Sequence, residues 1–340
     1  MLQGCFFYVN FAGNDSHPMI YVAIVAGGDS GEYAISMLSG RQVDQQIDRT
    51  LYKPFLIEIK GDEWFYQLDG ISYPVDKNDF SLRLPGDHVH FDVVFNAIHG
   101  TPGENGKLQG YLDMLAIPYT SSDVMTSALT FNKAFCKSVV ARYGILTPHA
   151  VHLFKRQQKK IATLTDSISI PCFVKPNNGG SSVGMSKVTS AEQIPAALDQ
   201  AFGEDQEVLV EEFIQGRELT CGVLRSKGEV ITLPVCEIVS KKEYFDYEAK
   251  YTKGMADELV PAPVPQDVSD ECRRISAMLY DLLNCKGIAR FDYIHTKDKF
   301  YFLEVNTVPG LTEASIVPKM ISAHGWTYTE LVTRLIEECL

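Results

Sequence analysis

Residues 290–306, Arg-Phe-Asp-Tyr-Ile-His-Thr-Lys-Asp-Lys-Phe-Tyr-Phe-Leu-Glu-Val-Asn, read as two alternating strands joined by a polar turn, with charge kept to one face. Arg290 and Asp292 are two apart and share a face, as do Glu304 and Asn306. A register that sets Asp292 opposite Glu304 also sets Arg290 opposite Asn306, and the four polar side chains converge. Phe291, Tyr293, Leu303 and Val305 then face a core. Two carboxylates directly across a sheet repel each other, and a bound cation is the simplest remedy. Two carboxylates and an amide oxygen suit Mg²⁺ or Mn²⁺ on a nucleotide phosphate. A solvated strand face is the alternative reading of the same four residues.

A chain of 340 residues can bury a large core and suits two or three domains. The net charge of −12 argues against a nucleic-acid-binding surface. An anionic ligand must then be met by local lysines, arginines, backbone amides or metal. Eight cysteines without Cys-x-x-Cys spacing argue against a disulfide or zinc framework and suit a reducing cytoplasm. No stretch approaches the roughly 20 apolar residues of a membrane span. The first Lys or Arg is Arg41, which argues against a signal peptide. Met19 immediately precedes the first strand, so residues 1–19 are expected to be an extension outside the fold.

Residues 20–26 form a nearly continuous apolar run of the kind buried on both faces in a parallel sheet. Gly27-Gly28-Asp29-Ser30-Gly31 follows, then a helical pattern from Glu32. A second buried strand, 91–98, ends in His99-Gly100 and a glycine-rich turn, with a helix from Lys107. Strand, glycine turn and helix, repeated, predict an α/β domain with ligand sites at strand ends. Further along, 131–145 reads as a helix, 172–176 and 208–214 as strands, and 219–224 and 230–235 as antiparallel strands. Residues 241–257 form a polar, aromatic loop, and 267–283 a helix leading into the hairpin.

Gly179-Gly180-Ser181-Ser182-Val183-Gly184 lies behind a strand ending in Lys175-Pro176. Glycines let the backbone turn and offer N–H groups to phosphate oxygens, and the lysine supplies compact charge. The Gly-Lys-Ser/Thr of a P-loop is missing. Glu211, Ile214 and Glu218 could line an adenine and ribose slot, or simply form an amphipathic strand and loop. Lys250 and Tyr251 sit in a loop dense in aromatics and charge, where function concentrates; a surface loop packed by its own tyrosines is the alternative. His99 stands at a strand end, as a ligand-binding residue or as a structural histidine bonded to the turn. Glu32 either charges a helix N-terminus or binds a substrate ammonium group.

Taken in order, Gly27-Gly28-x-Ser30-x-Glu32, His99-Gly100, Lys175-Pro-x-x-x-Gly-Ser-Ser-Val-Gly184, Asp246-Tyr-Glu-Ala-Lys-Tyr251, Arg290-x-Asp292 and Glu304-x-Asn306-x-x-Pro309-Gly310 closely resemble the D-alanine–D-alanine ligases of the ATP-grasp superfamily, over about residues 20–340. The resemblance implies an α/β protein, α+β in its ATP-grasp part, with three units. These are an N-terminal parallel-sheet substrate domain (20–132), a central ATP-grasp subdomain (133–218), and a C-terminal one (219–340) with the metal site and a lid loop. It implies ATP as cosubstrate and two Mg²⁺ or Mn²⁺ ions on Asp292, Glu304 and Asn306. Lys133 and Lys175 would meet the nucleotide, Lys250 the transferred phosphoryl group, and Glu211, Ile214 and Glu218 the adenine and ribose. Glu32, Ser181 and Tyr251 would receive the first D-alanine, with His99 beside it. Arg290 and the Gly310 N–H would stabilise the tetrahedral oxyanion, and Ser315 would meet the carboxylate of the second D-alanine.

The implied reaction forms an acyl phosphate that the second amine attacks, releasing ADP and phosphate, for peptidoglycan synthesis in a cytoplasm. A homodimer is expected, as is common among relatives. Ala34, Asn105 and Ala314 depart from residues frequent in the family. Tyr251, where relatives that use D-lactate usually carry Phe, favours an amine acceptor. A ligase of D-lactate or D-serine and a catalytically silent nucleotide binder are the rival readings. Retention of the three metal ligands and Arg290 argues against the silent binder.

Overall fold

The computed structural model describes residues 19–157, 164, 167–180, 183–240, 256–297 and 299–340. A strand that is apolar on both sides must be covered on both faces. In β1 (Ile20–Gly27), Val22 and Ile24 enter one core and Ala23 and Val25 another, all fully buried. Helix α1 (Tyr33–Gln46) leads to β2 (Tyr52–Lys60), which pairs with β1 in parallel. The turn after β1 requires glycine: Gly27 has φ +102°, and a Cβ there would stand 2.4 Å from the Ile59 carbonyl oxygen.

An antiparallel meander follows, with β3 (Glu63–Leu68), β4 (Ile71–Asp76), β5 (Ser81–Leu84) and β6 (Asp87–Val89). The chain then crosses to β7 (Val93–Asn96), parallel to β1 on its other side. The seven strands lie in the order β6-β5-β4-β3-β2-β1-β7. The parallel centre matches the sequence reading, while the meander was not foreseen because its strands are short or largely exposed. Helix α2 (Lys107–Met114) covers one face, through Leu108 and Leu112.

The helix expected over 131–145 is α4 (Lys133–Ala141), and a further helix, α3 (Val124–Phe131), stands directly before it. Asn132 has an extended ψ of 100°, and its side chain caps α4 by accepting from the Phe135 N–H at 3.0 Å. The second sheet holds β8 (Ala150–Phe154), β9 (Cys172–Pro176), β10 (Ser186–Val188) and β11 (Glu207–Glu212), all antiparallel, in the order β10-β9-β11-β8. Val174, Val208 and Val210 pack on Leu198, Ala201 and Phe202 of α5 (Ile194–Glu204). Alternation leaves Phe173, Lys175 and Glu211 on the other face.

The third sheet comprises β12 (Arg217–Ser226), β13 (Glu229–Thr232), β14 (Cys236–Ser240), β15 (Ala256–Leu259), β16 (Ile288–Thr296) and β17 (Lys299–Asn306). Helix α6 (Gln266–Leu282) covers one face, where Leu279 and Tyr280 meet Cys221, Phe291 and Tyr293. Burying Phe291 or Tyr293 fully contributes about 2–3 kcal/mol each. The β16–β17 hairpin has the expected register, Asp292 opposite Glu304 and Arg290 opposite Asn306. One core assignment fails: a bulge sets Tyr293 opposite Phe302, so Leu303 is the surplus residue and lines a cleft instead of entering the core.

Helices α7 (Ile316–His324) and α8 (Tyr328–Glu337) close the chain. Their Met320, Leu331 and Leu335 pack with Val22, Ile24 and Phe95 of the first sheet and Leu224 of the third. The first and third sheets thus share a core, while the second has its own. Among the described residues, no helix is long and apolar enough to cross a membrane.

Candidate active site

The open face of the second sheet and the polar face of the third enclose a cleft of about 980 Å³, at the upper end of small-molecule sites. Glu32, Lys133, Lys175, Glu211, Ile214 and Glu218 line it. So do Arg290, Asp292 and Glu304. Alternation explains the third-sheet wall: Ala289, Phe291 and Tyr293 are core, so Arg290 and Asp292 must face the cleft.

Asp292 is the most heavily bonded group there. Arg290 grips it with two bonds, Nε to Oδ1 at 2.9 Å and Nη2 to Oδ2 at 2.8 Å. Thr220 Oγ1 donates to Oδ1 at 2.5 Å, and Asn306 Nδ2 donates to Oδ2 at 3.0 Å. Burial works against the Arg290 charge, but Asp292, with Glu304 and Glu218, outweighs it and raises the guanidinium pKa. Asn306 backs Asp292, and its amide donation leaves its oxygen directed elsewhere. The hard oxygen donors of Asp292, Glu304 and Asn306 fit a magnesium-class ion.

Lysines define the opposite wall. Lys133 opens α4, and its Nζ lies 3.4 Å from Glu304 Oε2 while donating to the Gly179 carbonyl. It therefore ties the glycine-rich turn to the metal-ligand hairpin. Lys175 Nζ donates to Glu211 Oε2 at 2.6 Å, and Lys137 Nζ takes the other oxygen of that carboxylate. Glu211 is only 2% exposed, so this carboxylate serves first to hold two lysines.

Glu32 meets the glycine-rich turn. A Cβ on Gly180 would stand 2.6 Å from Glu32 Oε2, and one on Gly100 would stand 2.8 Å from Ser30 Oγ. Bare backbone at both positions admits the carboxylate to the mouth of the cleft. His99 is buried behind it. Its Nδ1 donates to the Val308 carbonyl at 2.8 Å, and its Nε2 accepts from Ser39 Oγ at 3.0 Å. Burial lowers its pKa against the pull of Glu32, consistent with a neutral ring. The ring thus spends both nitrogens on the protein, tying the first sheet to the loop after β17.

Gly310 lies in that loop, where a Cβ would reach Ser315 Oγ at 2.8 Å. Ser315 sits at the N-cap of α7, and its hydroxyl lies 2.8 Å from Thr312 Oγ1. Ser181, Lys250 and Tyr251 lie outside the described residues.

Three residues of this region, Lys137, Thr220 and Glu104, are barely marked in the sequence. Lys137 is one helical turn from Lys133, the only local signal it gives. Thr220 sits within an apolar strand and gives none. Glu104 was read merely as part of a turn, yet it accepts from Gly100 N–H at 2.7 Å and Val308 N–H at 3.2 Å. It thereby clamps the two loops that His99 also joins.

An antiparallel sheet bearing lysines, closed against a carboxylate-bearing sheet over a nucleotide-sized cleft, defines an ATP-grasp protein. A family model described as D-ala D-ala ligase N-terminus matches residues 21–122, and one described as D-ala D-ala ligase C-terminus matches residues 139–337. The chain belongs to the D-alanine–D-alanine ligase family. It is 43% identical over 319 residues to a D-alanine–D-alanine ligase of Azobacteroides pseudotrichonymphae, spanning 93% of this chain and 98% of the relative. A D-alanine–D-alanine ligase of Flavobacterium johnsoniae is 42% identical, with the same coverage of each chain. Among solved structures, D-alanyl-alanine synthetase A from Vibrio cholerae matches with TM-score 0.86 at 27% identity, covering 95% of this chain and 99% of that one. The VanG D-Ala:D-Ser ligase from Enterococcus faecalis matches with TM-score 0.85 at 29% identity, covering 95% of this chain and 100% of that one.

Proposed function

We propose that the cleft joins two molecules of D-alanine at the expense of ATP, by way of an acyl phosphate, to supply peptidoglycan precursors. The observation that carries this reading is the Arg290–Asp292–Asn306 cluster, register-paired with Glu304 and facing Lys133 and Lys175 across the cleft. A free carboxylate is a poor acyl donor because its leaving group would be oxide. Phosphorylation by ATP makes the leaving group phosphate.

Phosphoryl transfer needs positioning and neutralised charge. Lys133 and Lys175 supply the charge from the second-sheet side, and Ile214 with Glu218 flanks adenine and ribose. Two Mg²⁺ or Mn²⁺ ions held by Asp292, Glu304 and Asn306 would offset the charge of the phosphate oxygens. Arg290, fixed as a cation, faces the tetrahedral oxyanion that forms on amine attack. Gly310 N–H is assigned to the same oxyanion. Ser315, at a helix N-terminus, suits the carboxylate of the second D-alanine. Glu32 is assigned to the ammonium group of the first D-alanine, with Ser181, Tyr251 and Lys250 completing the site. His99 then supports the first-substrate pocket through the backbone it fixes.

We assign the three sheets to units of 20–132, 133–218 and 219–340. A cytoplasmic homodimer is the working assembly, and sedimentation at the monomer mass would remove its dimeric part. A D-serine acceptor, the substrate named for the VanG structure, is the second reading.

The test is phosphate release from ATP and Mg²⁺ with and without D-alanine, with mass analysis of the product. D-alanine-dependent release with the dipeptide mass is expected, whereas ATP binding without stimulation would overturn the assignment. Glu304→Ala should abolish metal-dependent turnover and keep the native circular-dichroism spectrum.

A further inference from the structure

Far from the cleft, the outer hairpin of the first sheet gathers two imidazoles and a carboxylate. His88 and His90 are two apart at β6, so they share a face, with ring centroids 4.4 Å apart. Asp79, just before β5, comes up beside them. One ligand atom from each of the three lies within 4.8 Å of the others, and all three residues are exposed.

Two features show that the arrangement is built. Ser81 is fully buried and orients two of the three groups: its N–H donates to Asp79 Oδ1 at 3.0 Å, and its hydroxyl lies 3.0 Å from His88 Nε2. A proton on Nε2 directed at that hydroxyl leaves the His88 Nδ1 lone pair for a ligand. The Ser81 hydroxyl also hydrogen-bonds to the Asp79 carboxylate, so one buried serine links the two ligands. Such partners, which fix tautomer and carboxylate orientation, are characteristic of metal sites. The second feature is Phe80, fully buried with φ +56° between Asp79 and Ser81. A bulky residue in the left-handed region is strained, by about 1–2 kcal/mol. Here the strain turns Asp79 back over Ser81, and strain of this kind concentrates at functional positions.

We propose that Asp79, His88 and His90 bind a divalent ion of the zinc, nickel or copper class, with water completing its coordination. Two imidazoles and one carboxylate match that class and not the all-oxygen preference of magnesium. The site is separate from the nucleotide cleft: none of the three residues lines the cleft, and Asp92, two residues past His90, bonds to Tyr21 at the start of β1, whereas the cleft begins at Asp29 beyond the far end of that strand, about 20 Å away along it. An ion there would pin the hairpin at the free edge of the sheet.

The test is Zn²⁺ titration of the full, metal-stripped chain against a chromogenic indicator, in excess Mg²⁺. Wild type should take up one more equivalent than His90→Gln or His88→Gln, with phosphate release from ATP unchanged in both variants. Ser81→Ala should keep the equivalent but bind it about 10–100-fold more weakly. Visible absorption of bound Co²⁺ should appear in wild type and be missing from the histidine variants. Equal Zn²⁺ uptake by wild type and both histidine variants, or a Co²⁺ spectrum that the variants retain, would overturn the proposal.

Discussion

Glu211 holds Lys137 and Lys175 at once, which sets what each residue of the trio can tolerate. Lys137→Met keeps the apolar stem and leaves one buried carboxylate oxygen without its cation. A buried acceptor stripped of its partner costs about 1–3 kcal/mol, so the unfolding free energy from urea denaturation should drop by that amount and the midpoint should fall with it; an unchanged midpoint would mean that Lys175 alone satisfies Glu211. Glu104 carries a pH signature. Burial, and after it the Glu32 carboxylate, push its carboxyl up to about 8 from an ordinary value of 4.5. The folded protein then holds this proton more tightly than the unfolded chain, so the contribution favours folding at low pH and declines as pH rises through that window. Subtracting the melting temperature of Glu104→Gln from that of wild type isolates this contribution, and the difference should fall between about pH 5 and pH 8. A flat difference would show a freely ionised carboxyl. Arg290, Asp292, Glu304 and Asn306 were legible in the sequence because a strand declares its faces by alternation. Lys137 was not, since its partner Glu211 lies 74 residues away and only the fold brings them together.

Among elements, the β16–β17 hairpin was the most legible, its register following from two polar pairs at matched spacing. Its bulge was not, because the extra residue is an ordinary leucine with no glycine to mark it. Leu303 consequently left the predicted core and became an apolar part of the cleft wall. Helix α3 was not foreseen, and only the Asn132 cap separates it from α4. The entry to β16 has one position that no larger residue can fill. Gly287 has φ +63°, and a Cβ there would sit 1.9 Å from the Thr120 carbonyl oxygen. Gly287→Ala combines left-handed strain with a backbone collision, so a loss of about 3 kcal/mol or more is expected in chemical denaturation. A loss below about 1 kcal/mol would mean that the 120–121 backbone moves aside.

At the scale of the whole molecule, three sheets divide into two mechanical bodies. Val22, Ile24 and Phe95 share a core with Leu224, Met320 and Leu335, while the second sheet closes its own core on α5. Val308 stitches the first body further, its carbonyl accepting from His99 and its N–H donating to Glu104. Native-state hydrogen exchange should therefore show amides of β1, β7 and β16 opening with one common free energy. Those of β8, β9 and β11 should open with a different one, and a single value throughout would argue for one cooperative body. The shared core also bears on how the protein is made. A ribosome releases the first sheet some two hundred residues before it releases α7 and α8. Val22, Ile24 and Phe95 must wait through that interval without their final cover, and transiently bare apolar surface is what chaperones recognise. The second sheet, complete in itself, emerges between them and can settle while the first is still waiting for the chain to end.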